Sequence, residues 1–146
     1  MSKHNITYLS SDHLWSFKGL PVTLFRPRGK PIQVHLNAFI DLANRFRQNA
    51  LKQKYTKLLK NHLVPVPKTP YPGKVKLLYV YYAPSKHRRD LENMTAVVMK
   101  FTNDALVDSG FLVDDNTSII TNIHLAYGGL DPNKFNHCDL HIFKDD

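Results

Sequence analysis

Four carboxylates, Asp90, Glu92, Asp114 and Asp115, fall in two short runs of an otherwise basic chain: RRDLEN over residues 88–93 and FLVDDN over residues 111–116. Hard oxygen ligands delivered by two chain segments suit Mg²⁺ or Mn²⁺, which keep several waters and take few carboxylates. A cation held in this way lowers the pKa of a bound water and offsets charge on a phosphodiester, the logic of metal-assisted hydrolysis. Lys86, Arg88 and Arg89 lie just upstream of the first acids, placed to hold adjoining phosphates. Lys100 follows Asn93 by seven residues, nearly two helical turns, so the two share a helix face. From there an ammonium reaches a phosphate oxygen on which charge builds in a transition state. A purely structural reading stands beside this one. Asp90 suits a helix N-cap, Glu92 complements the helix dipole, Asp114-Asp115-Asn116 suits a turn, and Lys100 suits a solvated face.

The elements that must position these residues follow from periodicity. Residues 1–35 carry aromatic and β-branched pieces, LWSFKG and LPVTLFRP, broken at Pro21, Pro27, Gly29 and Pro31; they are expected as short strands and loops. From Leu36 to Leu63 apolar residues recur at helical spacing: Phe39, Leu42, Ala43, Phe46, Ala50 or Leu51, Tyr55, Leu58 and Leu59. One helix is expected there, with Asn37 as its N-cap and its lysines and arginines on the outer face. After the connector VPVPKTPYPG, the segment KVKLLYVYYAP reads as a buried strand and SKHRR as a polar loop. Residues 91–108 form a second helix, with Met94, Val98, Phe101 and Ala105 as its core stripe and Gly110 as its stop. SIITNIHLAY and HCDLHIF read as two strands joined into a hairpin by GGLDPNKFN. The expected fold is α+β: a single domain over residues 1–146, with a mixed or antiparallel sheet and two main helices.

Composition narrows the partners. Lys and Arg number 20 against 12 acids, a net charge of +8, and such a balance in a small domain favours a polyanion through counterion release. No apolar run approaches a membrane span, and the N-terminal residues lack the apolar core of a signal peptide. With Cys138 the sole cysteine, no intrachain disulfide forms, and a reducing cytoplasm is expected. His137, Cys138 and His141 invite a zinc reading. Strand alternation, however, turns the cysteine away from the histidines, and no CxxC accompanies them; a core cysteine and exposed histidines are expected. Gly128-Gly129-Leu130 is a turn and not a phosphate loop, since no GxGxxG or GxxxxGK is present. Trp15 and the tyrosines of YVYYAP are expected to pack rather than to stack on bases.

The run RRDLENMTAVVMKFTNDALVDSGFLVDDN resembles the signature of the RusA family of Holliday-junction resolvases, small endonucleases often encoded by phages and prophages. That signature has a DxDN stretch opening a helix, a lysine within the helix, a D-x-L near its end, and G-[FV]-x-x-DD before a strand. The corresponding residues are Asp90 to Asn93, then Lys100, then Asp104 to Leu106, then Gly110 to Asp115. The likeness covers residues 88–124, with a consistent order of elements from residue 74 onward and a loose match before it. It implies a RusA-like fold and a homodimer that nicks opposing strands of a four-way DNA junction with Mg²⁺ or Mn²⁺, in recombination and repair. It also implies that Asp90, Glu92 and Asp115 are the catalytic, metal-binding acids, with Asp114 beside them and Lys100 as the essential lysine. Arg88, Arg89, Lys86 and Asn93 fall on the DNA side, and the setting is the cytoplasm of a bacterial or phage-infected cell.

This chain departs from the family pattern twice. Glu92 stands where the second aspartate is usual, lengthening that side chain by a methylene. Lys100 lies about one helical turn, roughly 6 Å, further along than the family's usual position. Two other functions are compatible with the same residues: a structure-selective branched-DNA-binding protein with weak or no cleavage, and a less selective flap or fork nuclease.

Overall fold

The computed structural model describes residues 12–24, 29–42 and 44–146. The expected turn at Pro27 and the stripe position Ala43 lie outside the described residues. In chain order the elements are β1 (His13–Pro21), β2 (Thr23–Leu24), β3 (Ile32–Gln33), α1 (Leu36–Ile40), α2 (Arg45–His62), β4 (Val75–Ala83), α3 (Leu91–Asp108), β5 (Ile120–Leu130) and β6 (His137–Lys144). Four strands form one mixed sheet in the order β1-β6-β4-β5, and β2 and β3 form a small antiparallel pair. The α+β expectation holds. No helix among the described residues is long and apolar enough to cross a membrane.

β4 is apolar on both faces, and it takes the middle of the sheet for that reason. Its odd-numbered residues Val75, Leu77, Tyr79 and Tyr81 join Cys138, Leu140 and Ile142 of β6 in the main core. The helices supply Leu51, Tyr55 and Leu59 from α2, and Met94, Val98, Phe101 and Ala105 from α3. Tyr55 is fully buried, and its hydroxyl donates to the Pro21 carbonyl at 2.8 Å, so a polar tip in the core is satisfied. Trp15 packs edge-on against Phe111 with ring centroids 5.2 Å apart, and Tyr79 and Tyr81 are buried, as packing residues should be.

Four local expectations are corrected. Gly128-Gly129-Leu130, expected as a turn, is the end of β5, with Gly129 and Leu130 paired to Tyr82 and Ala83. The stretch Leu36–Leu63 is two helices, not one. Asn44 adopts an extended backbone (φ −158°, ψ 166°), and its side chain accepts from the Arg47 amide at 2.9 Å, starting a new helix there. The N-cap of α1 is His35 rather than Asn37. The break shifts the helical phase, so Phe46, expected on the apolar stripe, is 80% exposed. Next, β5 and β6 do not form a hairpin. β4–α3–β5 is a crossover unit with β4 and β5 parallel, and β6 returns antiparallel along the other edge of β4. The half-exposed β5 is thereby left at the sheet's edge. Last, His137 and His141 are buried, not exposed. β6 has a neighbour on each side; the His137 ring stacks on both Tyr82 and Phe135, and His141 Nδ1 lies 2.7 Å from Ser16 Oγ. Cys138 does point into the opposite, apolar face, where burial pushes its thiol pKa up, as expected of an inert core cysteine.

Candidate functional site

α3 carries a candidate cluster at each end. At its start, β4 ends at Ala83 and a loop delivers Asp90 in the N-cap position, with an extended backbone (φ −79°, ψ 124°). The Asp90 carbonyl accepts from the Met94 amide at 3.1 Å, opening the helix. Its carboxylate makes no capping hydrogen bond and is exposed. Glu92 is exposed in the first turn, where the helix dipole favours its charge. Asn93 uses its side-chain oxygen to accept from the Asn37 amide at 2.9 Å, which ties α1 to α3. Asp90, Glu92 and Asn93 line a hollow of about 620 Å³ together with Leu36, Asn37 and Leu125.

The basic loop divides its labour. The Arg89 guanidinium folds back on the loop itself, donating to the carbonyls of Ser85 at 3.1 Å and His87 at 3.0 Å and to Ser85 Oγ at 2.9 Å. Arg89 therefore holds the loop's shape, while Lys86 and Arg88 are exposed.

At the other end, Gly110 leaves the helix at φ +87°, a conformation that favours glycine, and Phe111 and Leu112 plug into the core. The following turn is built by Asp114. One of its carboxylate oxygens accepts from the Asp115 amide at 2.7 Å, the other from Asn116 Nδ2 at 3.1 Å. Asp114 thus does the turn work foreseen in the structural reading, and it orients the Asp115 backbone. Asp115 is partly covered as a residue, and its carboxyl faces Asp104 and Lys100 of α3. Partial burial raises its pKa, helped by the hydrogen bond and like charge of Asp104 and opposed by the Lys100 ammonium. Asp104 in turn accepts from Lys100 Nζ at 3.2 Å and pairs with Lys52 Nζ of α2 at 3.5 Å. Lys100 therefore works beside Asp115, while Asp90 stands ten positions up the helix.

Within one chain the two acidic runs do not meet. Asp115 lies against Asp104, fourteen positions after Asp90 on α3, so the helix sets the two runs roughly 21 Å apart along its axis. The parallel pairing of β4 and β5 agrees: Asp90 follows the end of β4, while Asp115 precedes a strand whose start pairs with Val75 at the beginning of β4. Among the described residues, no three His, Cys, Asp or Glu side chains lie close enough together to hold a metal ion. The donor chemistry suits a hard cation, yet one chain alone does not assemble the donors.

Two members of the second cluster carry no role in the sequence reading. Asp104 stands in the D-x-L element, and its i,i+4 spacing from Lys100 is the signal that marks it. Lys52 is one of several cations off the α2 stripe, and nothing in its spacing singles it out. Asp104→Asn is expected to bring the Asp115 pKa down toward its ordinary value, because the neighbouring acid is lost and both lysines are freed. Side-chain carboxyl NMR titration of the two proteins reads this directly; an unchanged Asp115 titration would sever the link between them.

No family model matches the chain, and comparison with curated proteins finds no match either.

Proposed function

We propose that the protein is a metal-dependent endodeoxyribonuclease that acts as a homodimer on branched DNA, four-way junctions above all. The observation that carries this reading is the Asp90 carboxylate, which occupies the N-cap position of α3 without capping it. An acid that the fold does not use, exposed beside Glu92 and a basic loop, is available for chemistry. Asp115 supports the reading from further down the helix: a carboxyl held between another acid and a lysine. The resemblance of residues 88–124 to the RusA signature supplies the substrate class.

The split between the two clusters makes the dimer a requirement of the proposal. Two copies related by a two-fold axis, with their α3 helices antiparallel, set Asp90 and Glu92 of one chain against Asp115 of the other. β5 supplies an edge for such an arrangement, since it pairs with β4 alone and exposes Ile123 at 43% and Leu130 at 45%. Mg²⁺ or Mn²⁺ bound there supplies an activated water and screens the phosphodiester's charge. Asp90, Glu92 and Asp115 are the oxygen donors, and Asp114 holds Asp115 in place. Lys100 sets its ammonium against charge developing on the phosphate. Arg88 and Lys86 grip the backbone on a loop shaped by Arg89. Because those contacts read shape and charge rather than bases, binding weakens steeply with salt.

The rival is a structure-selective DNA-binding protein without cleavage, and the separation of the two acidic runs along α3 favours it. A synthetic four-way junction incubated with the protein and Mg²⁺ or Mn²⁺ decides between them. Paired symmetric nicks that vanish with a chelator are expected. Tight binding with intact strands in both metals would overturn the nuclease reading in favour of the rival.

A further inference from the structure

Beside Asp90 lies a second hollow, of about 350 Å³, at the carboxyl ends of the parallel pair β4 and β5. Open sheets with helical crossovers bind their ligands at that end. It is lined by Tyr81 and Ala83 of β4, Tyr127 of β5, Leu91 at the start of α3, and His87, Arg88 and Arg89 of the loop between β4 and α3. The two tyrosines are register partners on β4 and β5, with ring centroids 6.4 Å apart and planes inclined by 33°. Tyr81 is buried, and its hydroxyl donates to Asn136. Tyr127 is 56% exposed, an unusual state for so large a ring on the helix-covered side of a sheet. Arg89 is fixed by its three bonds to the loop, which holds the loop side of the hollow in shape and leaves the exposed Arg88 free of that task.

We infer that this hollow receives a single unstacked nucleotide of the DNA, its base lying on Tyr127 and its phosphate against Arg88. The inference rests on the nuclease reading for its biological setting and on the hollow itself for its chemistry. The volume is at the low end of small-ligand pockets, far too small for a duplex and of the right order for one base and its sugar. An exposed aromatic face is a platform for any base, and a guanidinium lining the same hollow contributes both a phosphate contact and stacking on the π-system. The hollow shares Leu91 with the one lined by Asp90 and Glu92, so a nucleotide seated here places its neighbouring phosphate at those acids. At the centre of a four-way junction bases are the least firmly stacked, and extruding one there costs least. On this account Tyr127 determines where along a strand the nick falls.

Titration of ¹⁵N-labelled protein, with no divalent ion present, tests the hollow without any cleavage. The probes are deoxycytidine 5′-phosphate and deoxyribose 5-phosphate, which lacks the base. Amide shifts centred on Arg88, Leu91 and Tyr127 are expected, with the nucleotide binding about tenfold tighter than the sugar phosphate, the worth of one base–aromatic stack. Tyr127→Ala is expected to erase that difference and Tyr127→Phe to keep it. Tyr127→Phe also shows that any loss in the alanine variant comes from the missing ring rather than from a damaged fold. Equal affinity for the two probes in the unaltered protein, shifts confined to another surface, or a difference that survives Tyr127→Ala would overturn the inference. Absence of nicking beside a positive titration would instead remove the nuclease reading and leave the nucleotide site standing.

Discussion

Asp90→Asn is expected to lower junction nicking by roughly a thousandfold while leaving the fold and junction binding in place. The two halves of that expectation have different physical sources. Asparagine is as good an N-cap as aspartate, and here the side chain makes no capping bond, so the helix start loses no hydrogen bond. Only the favourable meeting of a negative charge with the helix dipole is lost, about 0.3–1 kcal/mol at an exposed site. The thermal midpoint therefore moves by a few degrees at most. Activity is a different matter, because a neutral amide is a poor ligand for a hard dication and changes the charge on which a metal-activated water depends. On the proposed reading binding rests on Arg88 and Lys86 of the basic loop, whose charges the substitution leaves in place. The same change at Asp115 should also silence nicking; its effect on stability is neutral or favourable, since it relieves the like charge beside Asp104. Asp114→Asn reverses the pattern. Both Asp114 oxygens serve the turn, so the cost falls on that loop first and on activity only through Asp115. Full nicking by Asp90→Asn in a normally folded protein would mean that Asp90 is only a helix boundary after all.

What could be read from the residues divides along a physical line. α3 was legible nearly to its ends, because its stripe, its boundary acid and its stop glycine all lie within one local segment. β4 was equally plain, since nine residues apolar on both faces fit only the middle of a sheet. Strand pairing was not, because it depends on which edges meet: β5 and β6 read as a hairpin, and only the position of β4 between them shows otherwise. The break before α2 was hidden for a related reason. Phe46 keeps helical spacing with Phe39, and only Asn44's own backbone reveals that the phase restarts. In the candidate site, the types and order of the acids were visible while their separation was not. Spacing along a chain carries no information on whether a helix brings its ends together or holds them apart, and a straight α3 of 18 residues can only hold them apart. The exposure of Tyr127 was invisible too, because it depends on how much of the strand's end the rest of the fold covers.

Mixing two inactive variants is expected to restore nicking. Asp90→Asn and Asp115→Asn, each silent as a homodimer, form heterodimers when co-expressed or refolded together. If each metal site draws Asp90 from one chain and Asp115 from the other, one site of the heterodimer carries both substitutions and its twin carries neither. Random pairing makes about half of the dimers mixed, each with one working site of two, so strand nicking recovers to about a quarter of the unaltered level. The product changes with it, from paired cuts to a single nick per junction. Were the acids gathered within one chain, every site in the mixture would retain one lesion and the mixture would stay silent. The complementary experiment inverts the logic. A chain carrying both substitutions, paired with an unaltered one, has one lesion in each site under the shared arrangement and is silent; under the single-chain arrangement it keeps one intact site. A result in which the first mixture stays dead and the isolated mixed dimer of the second nicks would show that the chain folds its own acids together on DNA, against the separation that α3 imposes. The reverse result would make the antiparallel pairing of two α3 helices the step that assembles the site, and would explain why the described residues of one chain hold no three donors in reach of one ion.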